Sequence, residues 1–428
     1  MKKTEKAILV GAYFNYQEKE LYLNSLKELV LLSKTNNIKV VEEFIQLSKK
    51  PNPATFIGKG KAQEIADFVS KNDVGNIIFN DPLSPTQARN LAKITNCNVV
   101  DRTELILDIF ANHARSKQSK LQVELAQLRY NYSRLRRMWS HLSRIEGGIG
   151  FRGPGEKQIE LDRREISKKI SILKERLELI KKTTRIKRKK RSSAINISLV
   201  GYTNSGKSTL FNLLTNENKL AQDKLFATLD STTRSINNSL SENVVLTDTI
   251  GFIENLPHLL IESFYSTLMD VTEADLLVHL IDISDPFYKN KIESVDKVLE
   301  EIDCNKKNIL MVFNKIDNLE KTKRLFLQKQ ILETYPHAIF ISAKLKANID
   351  NLYQRLNYFF EKTKVTTEFD IPADLPKLIS FIYQNSEVID NHFDSNSELY
   401  KIKTKIAKEL YPRIVEQIDH FKFMKEIN

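Results

Sequence analysis

The eight residues Gly201-Tyr202-Thr203-Asn204-Ser205-Gly206-Lys207-Ser208 constrain this chain more than any other stretch. They satisfy the spacing G-x-x-x-x-G-K-[ST], in which a glycine-rich turn aims successive backbone N–H groups inward to cradle the α and β phosphates of a nucleotide. Lys207 would reach the β and γ phosphates, and the Ser208 hydroxyl would sit on Mg2+. The flanks agree. The apolar run 195–200 reads as a buried strand, and Thr209 to Leu214 opens a helix whose positive end faces the phosphates. Strand, loop and helix in that order specify an α/β nucleotide-binding domain.

Three later segments decide the base. Asp248-Thr249-Ile250-Gly251 ends the apolar run Val244-Val245-Leu246; an aspartate there can hold Mg2+ through water, and the glycine amide can meet the γ-phosphate. Asn314-Lys315-Ile316-Asp317 follows the predicted strand 309–313, and the Asp317 carboxylate can accept two hydrogens from guanine. Adenine lacks both donors and would leave that carboxylate unpaired, a cost of about 1–3 kcal/mol or more. Ser342-Ala343-Lys344 follows another predicted strand, 338–341, and would close over the base. Four motifs in this order imply a GTPase domain.

A length of 428 residues calls for more than one core. Lys and Arg number 66 against 54 for Asp and Glu, a net charge of +12 that suits a polyanionic partner such as RNA but equally a solvated Lys-rich surface. The run Lys181 to Arg191 holds eight of those positive charges just ahead of the GTPase domain and reads as a basic linker. Cys97 and Cys304 are far apart, with no metal-ligand spacing, as expected of a reducing cytosol. The apolar stretch at Ala7 is too short for a signal peptide, and none is long enough to span a membrane. The expected location is the cytoplasm, with transient membrane association left open, and the expected state a monomer.

Residues 6–110 alternate strand and helix signals: strands at 7–10, 39–45, 76–79 and 98–100, helices near 18–32, 61–70 and 85–95. That order predicts a small parallel α/β domain over 1–111. Gly58-Lys59-Gly60-Lys61 lacks the phosphate-loop spacing and reads as a turn with a basic tip. Residues 112–183 carry two heptad-like stripes, Leu121 through Leu142 and Ile159 through Ile180, which predict a helical hairpin closing on itself. A basic linker is expected over 184–193, the GTPase domain over 194–363, and a small α+β domain over 364–428. His279, inside an apolar run, reads as a core histidine.

Between the stripes, residues 147–155 hold five of the chain's twelve glycines. A tip made of Gly147, Gly148, Ile149, Gly150, Phe151, Arg152 and Gly153 could approach a nucleic-acid backbone closely, stack a ring and place a guanidinium on phosphate. Arg134, Arg136, Arg137 and Arg144, with Tyr130, Tyr132 and Trp139, flank it. The G-x-x-G at 147–150 also matches the loop of KH domains, but the flanks are long helical stripes.

The segments 81–91, 101–110 and 120–128, the tip through Glu156, and Phe226-Ala227-Thr228-Leu229-Asp230 together resemble the HflX family of GTPases, within the Obg-HflX superfamily. The resemblance spans about residues 50–345. It implies GTP hydrolysis with Mg2+, binding to the large ribosomal subunit through ribosomal RNA, a hairpin tip near the peptidyl-transferase centre, and the splitting or rescue of ribosomes under stress. It adds Phe226, Ala227 and Thr228 to the nucleotide site, with Thr228 as the switch threonine on Mg2+ beside Ser208 and Asp248. Thr232 and Thr233 are rivals, because Ser231 stands where the family usually has proline. Some relatives bind ATP in the N-terminal domain; no phosphate loop is visible there. Phe252 stands after Gly251, where many GTPases carry the glutamine that orients the attacking water, so the catalytic group stays unassigned and a partner is expected to complete the site. Asn204 holds the place at which potassium-activated GTPases coordinate K+. Two alternatives remain from sequence: a GTP-regulated RNA-binding or scaffold protein in ribosome assembly or RNA metabolism, and a GTPase assisting RNA modification or unwinding.

Overall fold

The computed structural model describes residues 5–145, 154–189, 194–217, 225–226, 228–236, 244–254, 263–264, 268–395, 397–408 and 410–427; within these, the side chains of 136–145, 154–159, 181, 184–189 and 422–427 are left undescribed. The chain falls into two compact units. One takes Met1–Arg191, Asn196–Ser235 and Val245–Ala347; the other takes Ser192–Ile195, Ile236–Val244 and Asn348–Asn428.

The first unit holds two sheets and a helical hairpin. In the N-terminal sheet, β1 (Glu5–Tyr13), β2 (Ile38–Leu47), β3 (Asn76–Phe79) and β4 (Asn98–Asp101) run parallel in the order β2-β1-β3-β4. Helices α1 (Lys19–Thr35), α2 (Lys59–Asn72), α3 (Pro85–Thr95) and α4 (Arg102–His113) cover both faces. This is why β1 reads as an unbroken apolar run. Ala7 and Leu9 pack with α1 and α4, whereas Ile8 and Val10 pack with α2 and α3. Helix α3 starts where its sequence dictates: Ser84 and Gln87 form a capping box, with Pro85 at the first helical position.

Helices α5 (Lys117–Ile145) and α6 (Pro154–Lys189) form the hairpin. The two stripes meet: Leu121 and Leu125 pack with Leu173 and Leu177, joined by Leu128, Ile170 and Ile180.

The second sheet contains β5 (Ile195–Val200), β6 (Thr232–Ser235), β7 (Val244–Asp248), β8 (Leu276–Asp282), β9 (Ile309–Asn314) and β10 (Ile339–Phe340), in the order β10-β9-β8-β5-β7-β6. Strand β6 is antiparallel to β7; β5, β8, β9 and β10 are mutually parallel, so their C-terminal ends share one edge. All four nucleotide motifs begin at the ends of strands in this sheet. Helix α7 (Lys207–Thr215) follows β5 across the glycine loop.

The other unit is built on an antiparallel sheet of β11 (Lys364–Pro372), β12 (Ser386–Asp394) and β13 (Leu399–Ala407), with β13 in the centre. The helices Ile349–Thr363, Pro376–Asn385 and Tyr411–Ile427 accompany it, and Phe369, Ile371, Ile382, Ile402 and Ile406 form its core. The helix Ile349–Thr363, expected within the GTPase domain, groups with this unit. The protein is thus an α/β GTPase fold with an N-terminal parallel α/β domain, a helical hairpin and a small C-terminal α+β region. Among the described residues no helix is long and apolar enough to cross a membrane.

Candidate functional site

The loop between β5 and α7 has the backbone its sequence requires. Gly201 and Gly206 hold φ of 149° and 97°. A Cβ on Gly201 would lie 2.3 Å from the Leu280 carbonyl oxygen, and one on Gly206 would lie 2.3 Å from Asn314 Nδ2. Only glycine fits at either place. Asn204 sits at the exposed top of the loop with φ 58°, a conformation asparagine tolerates.

Lys207 is 6% exposed and folds back over the loop, donating to the carbonyls of Gly201 at 3.0 Å and Tyr202 at 2.8 Å. Burial pushes its ammonium down to about 8, with the Asp248 carboxylate opposing. An anion placed in the loop would supply the counter-charge that burial removes. The Thr203 Oγ1 and Ser205 Oγ atoms are buried with no hydrogen-bond partner among the described residues.

Three side-chain oxygens converge beside the loop. Ser208 Oγ lies 3.0 Å from Thr228 Oγ1 and donates to Asp248 Oδ2 at 2.8 Å; Thr228 Oγ1 donates to the same carboxylate oxygen at 3.1 Å. This hard oxygen set fits Mg2+, which prefers a carboxylate with hydroxyl, water and phosphate oxygens. The two rival threonines lie elsewhere: Thr232 stands on β6 opposite Asp248, and Thr233 Oγ1 pairs with Thr247 Oγ1 at 2.9 Å.

The segment after β7 is zipped to the loop. Phe252 N–H donates to the Gly201 carbonyl at 3.1 Å, and Thr203 N–H donates to the Phe252 carbonyl at 2.7 Å. The Phe252 ring is 1% exposed in the core, where it can orient no water. The Thr249 hydroxyl is used internally, donating to Leu199, and Ile250 is buried. Gly251 passes so close that a Cβ would meet Thr203 Cγ2 at 2.8 Å and Lys207 Nζ at 3.2 Å.

The base-side motifs are tied together by Asn314. Its Nδ2 donates to the Ser205 carbonyl at 2.9 Å, and its Oδ1 accepts from Ala343 N–H at 2.9 Å. One side chain therefore sets the spacing of the phosphate loop and the Ser342-Ala343-Lys344 turn. Lys315, at φ 64°, pairs with Asp282 at 2.8 Å. Ser342 Oγ caps the turn by accepting Leu345 N–H at 3.0 Å, which leaves Lys344 exposed. Asp317 Oδ1 is buried and has no hydrogen-bond partner among the described residues. A buried, unmatched carboxylate oxygen is costly unless a ligand donor meets it. The sum is a loop for phosphates, an oxygen cluster for a divalent ion, and an acceptor for a base carrying adjacent N–H donors.

The comparisons with known proteins agree with this geometry. Residues 23–111 match the family described as GTP-binding GTPase N-terminal, residues 113–191 the GTP-binding GTPase Middle Region, and residues 196–315 the 50S ribosome-binding GTPase. A GTPase HflX of Escherichia coli is 42% identical over 382 residues, which cover 89% of this chain and 88% of that one. The chain belongs to the GTPase HflX family. The family's Flavobacterium psychrophilum member is 41% identical over 372 residues, covering 82% and 89%. Its Caldanaerobacter subterraneus member is 40% identical over 417 residues, covering 96% and 93%. A GTP-binding protein of Sulfolobus solfataricus, solved with GDP, is 27% identical, with 83% of this chain and 98% of that chain covered and a TM-score of 0.45. Membership makes this chain a GTP-binding GTPase.

Other expectations fall differently. Ala227 and the tip residues Gly147, Gly148, Ile149, Gly150, Phe151, Arg152 and Gly153 lie outside the described residues. Arg134 and Tyr130, expected to face RNA, instead bind each other and the N-terminal domain: Arg134 donates to Tyr130 Oη at 2.6 Å and Glu104 at 3.1 Å, and Tyr130 donates to Asp101 at 2.9 Å. The Gly58 amide is taken by Gln46 Oε1 at 2.9 Å, as a plain turn requires. His279 is buried as expected, but Nδ1 has no hydrogen-bond partner among the described residues, and burial pushes its pKa down to about 3, with Lys207 adding to the effect. It stays neutral at any working pH.

Two contacts had no sequence signal. The Tyr202 hydroxyl accepts Glu254 N–H at 2.7 Å and bonds Glu28 of α1, which is ion-paired with Arg102. Asp230 grips the start of α5.

Proposed function

We propose that this GTPase acts on ribosomes: it binds the large subunit through ribosomal RNA, and GTP controls a step that splits or rescues stalled ribosomes in the cytoplasm under stress, with the protein acting as a monomer. The observation that carries the reading is Phe252. The position that orients water in many GTPases holds a ring buried in the core and tied to the loop through its backbone. A site without a water-positioning side chain turns over slowly alone and is completed by a partner. The match of residues 196–315 to the 50S ribosome-binding GTPase family supports a ribosome as that partner. The glycine-rich tip at 147–153, between two long helices, suits insertion among RNA backbones.

In this reading the amides of 201–209 cradle the phosphates, and Lys207 turns from the Gly201 and Tyr202 carbonyls to the β and γ oxygens. Ser208, Thr228 and Asp248 would hold Mg2+, with Asp248 acting through water; bound there, the ion neutralises charge developing on the phosphate oxygens. The Gly251 amide meets the γ-phosphate, and the region of Phe226 lies beside the nucleotide. Asp317 reads guanine, Lys315 braces Asp282, and Ser342, Ala343 and Lys344 close the base side. Hydrogen bonds in so dry a site count for more than they do in water. Asn204 would coordinate K+; equal hydrolysis rates in sodium and potassium buffers would remove that part.

The test is light scattering of whole ribosomes mixed with the protein and GTP. Falling scattering with the native chain, and none when residues 147–155 are shortened, is the expected result. A chain that binds GTP normally yet leaves scattering unchanged would overturn the splitting role.

A further inference from the structure

The segment carrying Thr228 is anchored on both sides by α4 and α5. Before it, Leu225 and Phe226 are buried, and the Phe226 ring meets Phe110 of α4 edge-on at 4.7 Å between centroids. Phe226 holds φ of 55°, a strained conformation for an aromatic residue, so its packing outweighs its backbone preference. After it, Leu229 is 2% exposed in the same core as Ala114, Val123 and Ala126.

Asp230 then closes on the first turn of α5. Its Oδ2 accepts the N–H groups of Arg115 and Ser116, each at 3.1 Å, and its Oδ1 accepts the Ser116 hydroxyl at 2.5 Å. Ser116 is itself the cap of that helix, its Oγ accepting Ser119 N–H at 3.0 Å and its carbonyl accepting Lys120 N–H at 3.1 Å. A carboxylate at this end meets orphan amides and the positive end of the helix. Burial pushes the Asp230 carboxyl up, but the bonds from Ser116, Ser119 and Arg115 outweigh it and leave it below its ordinary value.

We infer that Asp230 is a positioning residue for the GTPase site: gripping the start of α5, it holds Thr228 beside Ser208 and Asp248, and so makes the hairpin helix part of the apparatus that senses the γ-phosphate. The inference rests on the proposed role of Thr228. Only Leu229 separates the two residues, so Thr228 cannot leave the oxygen cluster without pulling on the cap of a 29-residue helix. Coupling of this kind is reciprocal. A partner that moves α5 alters the preference for GTP over GDP, and nucleotide exchange alters α5.

The test uses the full chain with Mg2+, GDP and a non-hydrolysable GTP analogue. Trp139, the one tryptophan, lies on α5 and reports on the hairpin by its emission. In Asp230→Ala, affinity for the GTP analogue should fall roughly tenfold relative to GDP. The difference in Trp139 emission between the two nucleotides should collapse. Asp230→Asn, which keeps an acceptor oxygen, should recover part of both. An Asp230→Ala protein that weakens both nucleotides equally, or keeps both the ratio and the Trp139 response, would overturn the inference. Thr228→Ala separates the two readings. If it loses the GTP preference while Asp230→Ala keeps it, the inference fails and the site assignment stands; if both keep it, the Thr228 assignment fails and takes the inference with it. Should Asp230→Ala not fold, Ser116→Ala weakens the same grip from the other side and must show the same loss of ratio.

Discussion

The two sheets of the first unit end in polar clusters of different character. At the GTPase sheet the protein leaves polar atoms unmatched: among the described residues, Thr203 Oγ1, Ser205 Oγ and Asp317 Oδ1 are buried without partners, and Lys207 is bonded to backbone carbonyls of its own loop. At the N-terminal sheet, a cavity of about 600 Å³ lies beyond β3 and β4, and most of its polar groups are matched to one another, although Arg102 Nε finds no partner among the described residues. Arg102 Nη1 donates to Ser25 and Asn80, its Nη2 pairs with Glu28, Tyr22 bonds Asp81, and Tyr130 bonds Asp101. Burial holds the Asp81 carboxyl above its ordinary range, with Tyr22, Ala12 and Arg102 opposing. The two clusters differ in how many donors and acceptors each leaves uncommitted. Several uncommitted donors and acceptors in one place favour a ligand, whereas a largely matched polar network favours a scaffold.

The comparison can be broken most directly at Lys207. Lys207→Ala should cost roughly a hundredfold in nucleotide affinity, as loss of charge-assisted hydrogen bonds worth about 1.5–3 kcal/mol implies. Isothermal titration with GDP measures it, and an unchanged Kd would remove the lysine from the site. At the other sheet, Tyr22→Phe strips a hydroxyl from buried Asp81 and should lower unfolding free energy by about 1–3 kcal/mol. GDP affinity should stay the same, and a large loss of binding in this variant would erase the contrast between the two sheets. Asp317→Asn should relax guanine preference by roughly tenfold or more while leaving stability nearly intact, read by competition between GTP, XTP and ATP. The smallest effect is on pH. The Lys207 ammonium loses its proton near 8 in the free protein, and bound phosphate favours the charged form. Binding therefore takes up a proton above that pH, and affinity should fall roughly tenfold between about pH 7 and 9. Affinity flat across that range would mean the lysine keeps its ordinary pKa.

The candidate nucleotide site is legible because its chemistry is local. Glycines at 201 and 206, Lys207, Asp248 and Asp317 announce themselves within segments of four to eight residues, each after an apolar strand. The N-terminal strands were equally legible, since Ala7–Val10 is buried on both faces and reads as a continuous apolar run. Contacts across long sequence separations were not. Asp230 and Ser116 are separated by 114 residues, and no periodicity links them. Glu28, Arg102 and Tyr202 likewise carry ordinary residue types whose meeting depends on how two domains pack. Arg134 and Tyr130 show the converse error. Arginine and aromatic residues interleaved on a helix resemble an RNA face, but these two side chains hold α5 to Asp101 and Glu104.

The central claim is that this site binds GTP fully formed but hydrolyses it only when a partner supplies what Phe252 does not. The most direct measurement is GTP turnover in potassium buffer with and without purified large ribosomal subunits. Slow hydrolysis alone and strong stimulation by the subunits, lost in a chain shortened over 147–155, is the expected result. Fast turnover without the subunits, or none added by them, would contradict it.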